Sequence, residues 1–586
     1  MSRPGVWFGL VAFLIAGLLL VGPVLWHPTT HALGAWESEA AWHMWRHAAW
    51  LRTFATEGPW LRMHEEGLRD PGEANLSPAT TLLGWPAWWI AGGGIAGVTF
   101  AWNMLFVVVF VGAVAGTWDL VRAWLPRDDT RMAAAAAAAI VAFGAFLHQA
   151  PGVGRQENII QFLWPLHIAF LYRATVLPGR RFDPPLAAAS FALITMQGGF
   201  PALFTAIVEL PAALWCLAQA SDRKRAFGIL TLVAVAGAVA LYPWVYANRL
   251  HPPPSLSVGR TGVISVPLAQ LLPGGADVPF ARGWHEAPYP GLVALLAAAG
   301  AAVMHRASRF WFLLAAAVML LMIGPEARWT LDASVLVEMP VSWLSRLPGW
   351  TIPSTGWARL GTFVPTLLAL AIAPALVGRP RVAALVAVLA VADQLAYIRS
   401  VPRTEATWEL ALPAELGDPD RPSVWLPLDE RGLTWLHAAD EQMRRCTSQE
   451  QNNTLPTLRW VEAVLPGTPE GFVGRNRAGG QGESPAPGCV ERDAGVLADA
   501  GFARIVLLRD HGDATEVERV LRAGLGAPVA ETDRGAAWVL ASSPGAVCDL
   551  PIEAVGPRKR EESGELPPGE EGKRLGRGRR EGRRRE

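Results

Sequence analysis

PATTLLGWPAWWIAGGGIAGV, residues 78–98, decides how the rest of this chain is threaded. It is apolar enough to pass for a membrane crossing. Yet Pro86 and the Gly92-Gly93-Gly94 run are poor residues for a helix interior, and Trp85, Trp88 and Trp89 favour the membrane interface over its centre. Basic loops arbitrate, because Lys and Arg in short loops mark the cytoplasmic side. If 78–98 does not cross, the loops at 122–131 (RAWLPRDDTR), 177–183 (LPGRRFD), 221–226 (SDRKRA), 305–309 (HRASR) and 378–381 (GRPR) all lie inside. If it crosses, every one of them lies outside. The segment is therefore expected to lie on or dip into the outer membrane surface.

The remaining apolar runs fall at 6–26, 99–122, 131–148, 158–176, 184–198, 200–219, 226–247, 288–304, 310–324, 359–377 and 381–398. The first follows a short basic start and exceeds the roughly 7–15 residues of a cleaved signal core, so it is expected to be an uncleaved crossing. The expected fold is an α-helical polytopic membrane protein of about 11 crossings, N-terminus in and C-terminus out, followed by a soluble α/β domain. The polytopic domain spans 1–399 with a large outer loop at 27–98, the α/β domain 400–555, and a charged tail of disordered composition 556–586. Composition agrees: 51% of the 586 residues are hydrophobic and only 17% charged, and 27 Trp stand against 5 Tyr. Net charge is zero and no nucleic-acid partner is expected.

Polar groups gather in the segments expected outside. GAWESEAAWHMWRHAAW, 34–50, places Glu37 and Glu39 among tryptophans and histidines just after the first crossing. As a surface helix it would put its rings down and its ionisable groups up. Glu39, His43 and His47 share one face at i, i+4 spacing, a weak candidate for a divalent metal ion; either carboxylate alternatively suits a general base. The segment 148–166 adds His148, Arg155, Gln156, Glu157 and Asn158; 281–291 adds Arg282, His285 and Glu286; 339–363 adds Arg346 and Arg359. Arginine's forked donors suit phosphate oxygens.

Beyond residue 400, SVWLPL (423–428), ARIVLLRD (503–510) and AAWVLASS (536–543) are expected strands, with helices over 491–501 and 514–525. No nucleophile elbow, phosphate-binding loop or zinc spacing occurs there. Cys216 is expected to pack as a small apolar group in a membrane helix. Among Cys446, Cys489 and Cys548 three pairings are open, Cys446–Cys489 being the simplest.

Several short words carry a resemblance: GAWESEAAWHMW in the first outer loop, SPATTLLGWPAWW before the second crossing, NIIQFLWPL, YPGLVALLAAAG, and LSRLPGW followed by TGWARLGTF. Together they resemble the GT-C-type polytopic glycosyltransferases, and more closely the bacterial YfhO-like membrane proteins. GFARIVLLRD and VERVLRAGLGAPVAETDRGAAWVL resemble the C-terminal domains attached to the same family. In the first loop Glu stands where many members carry Asp. The resemblance implies sugar transfer from a polyprenyl-phosphate donor to a glycan, lipid or protein acceptor at the outer face of the bacterial inner membrane. It implies Glu37 or Glu39 as base, Glu157 as a second acidic group, and Arg155, Arg282, His285 and Arg359 on the phosphate side. The rival reading is a transporter or lipid flippase, for which Glu209, at mid-helix beside Pro211, is the best argument, with Asp393 nearer an outer end. A third is a non-catalytic scaffold of the same fold.

Overall fold

The computed structural model describes residues 23–33, 47, 51, 78–125, 128–152, 159–177, 180–250, 266–273, 289–330, 333–344, 357–400, 407–409, 414–418, 423–426, 455–464, 484–499, 501–509, 514–542 and 548. The run at 6–26 falls outside these residues except for its last turn, Pro23–Trp26, and so does the charged tail.

The deciding stretch forms helix α1, Pro78–Ile90, then turns sharply and continues as α2, Gly94–Trp124. Gly92, Gly93 and Gly94 make the turn with φ of 81°, 74° and 58°, a region closed to most side chains. At 13 residues α1 reaches about 20 Å, short of the ~30 Å hydrocarbon core. It runs back along α2, as a Cβ on Gly97 would meet Trp88 and one on Gly84 would meet Ala101. Pro86 sits inside α1, contrary to its propensity, and packing on α2 offsets that cost.

The level of this hairpin is fixed from below. Trp102 Nε1 donates to Leu33 O (2.7 Å), and the Asn103 amide donates to Pro28 O (2.8 Å) and His31 O (2.7 Å). The polar connector after the first run thus lies beside residues 102–103. Ala79 and Ala87 of α1 and Val98 and Ala101 of α2 are buried in the same core as the bundle helices.

Each later run falls on helix. These are α3 (Arg131–Ala142) and α4 (Ala145–Gly152), α5 (Trp164–Val176), α6 (Asp183–Thr195), α7 (Gly199–Gln219), α8 (Arg223–Leu250), α9 (Leu292–Met304), α10 (Arg306–Met322), α11 (Val364–Leu376) and α12 (Pro380–Ser400). Among the described residues five helices are long and apolar enough to cross a membrane: most of α2, α7 and α8, α11 with the turn before it, and α12; α3 and α9 are apolar but shorter.

Burial sorts the helices. α11 is enclosed almost throughout, with Leu367, Leu368 and Leu370 inaccessible. The alanine run Ala133–Ala139 of α3 packs against it, small residues letting two backbones approach. Gly116 of α2 does the same for α5, since a Cβ there would collide with the Leu166 backbone. By contrast α8 and α12 expose Val235, Val239, Leu385 and Val388, the apolar face that a bilayer covers.

A two-stranded sheet joins the two ends of this domain. β1, His31–Leu33, lies antiparallel to β4, Thr407–Glu409, with His31 opposite Glu409. The connector after the first run and the chain leaving α12 are therefore on one side of the bundle. A small hairpin, β2 (Glu326–Ala327) with β3 (Val337–Glu338), follows α10.

The C-terminal unit is an α/β sheet. β5 (Ser423–Leu426) pairs parallel with β6 (Arg504–Leu508); β6 pairs antiparallel with β8 (Gly535–Val539), and β8 with β7 (Ala530–Thr532). Helices α13 (Pro456–Val464), α14 (Pro487–Asp499) and α15 (Ala514–Leu525) share its core. The sequence reading found three of these strands and missed β7, three residues of AET with no apolar signature.

The disulfide joins Cys489 to Cys548, not to Cys446. The fold gives the reason. After β8 the chain runs back along α14: Ser542 Oγ bonds Asp499 Oδ1 at the helix end (2.8 Å), and Cys548 meets Cys489 near its start. Cys446 lies outside the described residues. Cys216 is free and buried in α7, as expected.

Candidate functional site

Most expected site residues lie outside the described residues: Glu37, Glu39, His43, Arg155, Glu157, Arg282 and His285. Arg346 and Glu286 do as well. Their placement follows only as far as the anchors on either side of each segment, and those anchors meet at one end of the bundle.

The first anchor is β1, which ends four residues before Glu37 and is held to α2 by Trp102 and Asn103 as above. The second is α4, which leads into 153–158. His148 on α4 packs its ring near Phe106 (6.4 Å) and Phe110 (6.0 Å) of α2, and its Nε2 lies 2.6 Å from Ala142 O. The segment resumes at the 3-10 turn Ile160–Leu163, where Phe162 faces Phe146 across 6.0 Å.

The third anchor is Tyr289–Gly291, at the end of the histidine- and arginine-bearing segment. Tyr289 Oη donates to Asp393 Oδ1 (2.6 Å), and Asp393 Oδ2 accepts from Val293 N (3.1 Å). Asp393 therefore caps α9 from the neighbouring helix, satisfying an amide that its own helix leaves unpaired. Next to it, Gln394 Oε1 accepts from Ala145 N (3.0 Å), tying α12 to α4. Sequence reading placed Asp393 near an outer end but missed this role, since partners 100 residues apart leave no local signal.

The fourth anchor carries Arg359. It sits on the 3-10 turn Trp357–Thr362, half-buried, and its carbonyl accepts from Thr362 Oγ1 (2.7 Å). Trp357 is buried against Phe204 of α7 (5.4 Å), and Gly361 fits against Met322 and Phe146. Two amides at this end were also missed. Gln161 Nε2 donates to Pro201 O (2.9 Å) while its Oε1 is buried without a partner, and both amide atoms of Gln197 are buried and unpartnered. Buried polar atoms normally find partners, so this end of the bundle holds unspent hydrogen-bonding capacity.

His47 corrects the surface-helix picture. Its ring does not face outward: it is 1% exposed, wedged where Gly84 lacks a Cβ and 5.9 Å from the Trp102 ring. Neither ring nitrogen has a hydrogen-bond partner. Burial without a compensating charge pushes its pKa down to about 3, so the ring is neutral near pH 7. A neutral imidazole is the form that binds metal. Among the described residues, however, no group of three His, Cys, Asp or Glu could hold an ion.

Glu209 lies deeper and is satisfied. Trp164 Nε1 donates to Oε2 (2.9 Å), and His167 Nε2 lies 3.0 Å from Oε1. Glu209 is thus hydrogen-bonded between α5 and α7, which weakens the case for a permeation path. At the opposite end the charges pair off: Arg173 contacts Asp119 and Asp183, and Arg225 Nη2 donates to Ala174 O (3.3 Å).

No protein-family model matches the chain, and no curated protein matches it. Among solved structures the chain is similar to the crystal structure of ArnT from Cupriavidus metallidurans in the apo state. The two share 14% identity at a TM-score of 0.48, over 92% of this chain and 99% of that one. It is also similar to ArnT from the same organism bound to undecaprenyl phosphate, with 15% identity, a TM-score of 0.43, and coverage of 92% and 99%.

Proposed function

We propose that this chain is a GT-C-type membrane glycosyltransferase, moving a sugar from a polyprenyl-phosphate donor to an acceptor at the outer face of a bacterial inner membrane. One observation carries the reading: the anchors of all four cation- and carboxylate-bearing segments converge at a single end of an apolar bundle, the end that also holds β1 and the chain leaving α12. A lipid-linked donor has its tail in the bilayer and its phosphate at such an end.

In this reading Glu37 or Glu39 takes the proton of the acceptor hydroxyl as its oxygen attacks the anomeric carbon. The bond from that carbon to the phosphate oxygen breaks, and the lipid phosphate leaves as an anion. Arg155, Arg282, His285 and Arg359 stabilise the charge that develops there. Glu157 is a second acidic group. A divalent ion on Glu39, His43 and His47 is the weaker alternative, and no step above depends on it. The YfhO-like resemblance belongs to this proposal too.

Purified full-length protein in proteoliposomes, offered a panel of polyprenyl-phosphate sugars together with glycan, lipid and protein acceptors, tests the reading through release of polyprenyl phosphate. Glu37→Gln or Glu39→Gln is expected to lower the rate by about 100-fold or more, the contribution of a positioned base. Turnover indifferent to both substitutions, or no donor consumed by the unaltered protein, overturns it. Loss of turnover on chelation would restore the metal alternative.

A further inference from the structure

The hairpin after α10 and the short helix Pro340–Leu344 that follows it carry large apolar side chains that stay exposed. The inner side of the hairpin packs: Ile323, Ala327 and Met339 are buried together with Leu268 and Leu271. Away from that packed cluster Trp329, Leu336 and Val337 of the hairpin and Trp343 of the helix are exposed at 52%, 55%, 60% and 59%. A solvated loop would place polar residues there.

The piece is rigid. Glu326 pairs with Glu338 and Ala327 with Val337; Leu268 N donates to Arg328 O (2.8 Å) and Ala269 N to Trp329 O (3.2 Å). Arg328 bonds Glu326 Oε2 (2.7 Å) and its Nη1 donates to Ala333 O (3.1 Å), while Glu338 beside Val337 is exposed.

We infer that this side is a membrane-docking surface, with Leu336, Val337 and the two tryptophans seated in the headgroup–acyl boundary of the leaflet at this end. Continuity selects the lipid over a protein partner. On α10 itself Leu313 and Leu320, two turns apart, are 65% and 50% exposed and form part of the apolar belt that the bilayer covers. The hairpin begins four residues beyond that helix, so its exposed side extends the belt outward to the depth where indole rings settle. The same helix end packs on the turn that bears Arg359, so the docked hairpin would fix that turn relative to the membrane surface. This inference goes beyond the transfer reading and does not depend on it.

The test uses full-length protein in nanodiscs of phosphatidylethanolamine and phosphatidylglycerol, carrying Leu336→Cys or Trp343→Cys labelled with an environment-sensitive fluorophore. Signal from the unsubstituted chain is subtracted, and Val529→Cys, on an exposed position of the α/β domain, is the aqueous control. Docking predicts blue-shifted emission, quenching by nitroxide-labelled lipid and loss of quenching by aqueous iodide at both positions. Iodide quenching equal to the control overturns it. So does shielding from both quenchers, which would mean that protein covers the face.

Discussion

Glu209 Oε1 and His167 Nε2 lie 3.0 Å apart on neighbouring helices, both side chains almost wholly out of solvent. His167 Nδ1 lies 3.0 Å from Ala187 O, which can only accept, so that nitrogen carries a proton. Glu209→Gln preserves the arrangement: its amide can donate to Nε2 and its carbonyl accept from Trp164. Glu209→Ala strands both partners, and removing one member of a buried pair costs about 3–5 kcal/mol in soluble proteins, less where membrane helices find other partners. Thermal unfolding in detergent should therefore show Glu209→Ala several degrees below Glu209→Gln, with donor consumption kept in the latter. A Gln variant that is stable but inactive would make Glu209 a working ion after all.

The fit of His47 against Gly84 yields a coupling prediction. A Cβ on Gly84 would come within 2.8 Å of His47 Cε1 and 3.3 Å of Ala101 Cβ. Gly84→Ala should cost about 1–3 kcal/mol, the usual range for overpacking. Much of that cost should vanish in a His47→Ala background, because the two positions share one contact. Equal costs in both backgrounds would mean that the 34–50 segment is not held at this notch.

How far the sequence carried the fold depends on the range of each signal. Hydropathy, a local signal, located every described bundle helix, and basic loops gave the expectation that 78–98 does not cross. The polar segments announced themselves through composition. Asp393 with Tyr289, Gln394 with Ala145, and Cys489 with Cys548 could not be read, because each joins residues far apart in the chain and rests on packing alone. His47 was misread for a related reason: helical periodicity assigned it a face, and a missing Cβ on another helix decided its burial.

Acid should loosen the packing of residue 47 on α1 and α2 through that same histidine. His47 titrates near 6.5 when unfolded and at about 3 when buried. Below pH 6.5 the unfolded state binds a proton that the folded state refuses, so stability is full above 6.5 and declines as pH falls toward 3. His47→Leu removes both the proton and the two unpartnered nitrogens. Relative to this variant, the unaltered protein should lose unfolding temperature steadily between pH 7 and 4.5. A difference that stays flat over that interval would show a ring that protonates freely, and hence one that is not buried.

The disulfide gives the clearest test of which side the α/β domain occupies. Cys489 and Cys548 are 59 residues apart and bracket α14, α15 and most of the sheet. A crosslink of that span typically stabilises by about 2–4 kcal/mol, and it persists only in an oxidising compartment. Non-reducing peptide mapping of protein taken directly from membranes should recover a Cys489–Cys548 peptide and no Cys446–Cys489 peptide. Cys489→Ser, Cys548→Ser and the double variant should lower the unfolding temperature of the domain equally, since each removes the same bond. Because β4 ties the chain entering this domain to β1, an oxidised pair also puts β1 on the oxidising side. Two free thiols in native membranes would put both on the reducing side, away from any outward-facing acceptor.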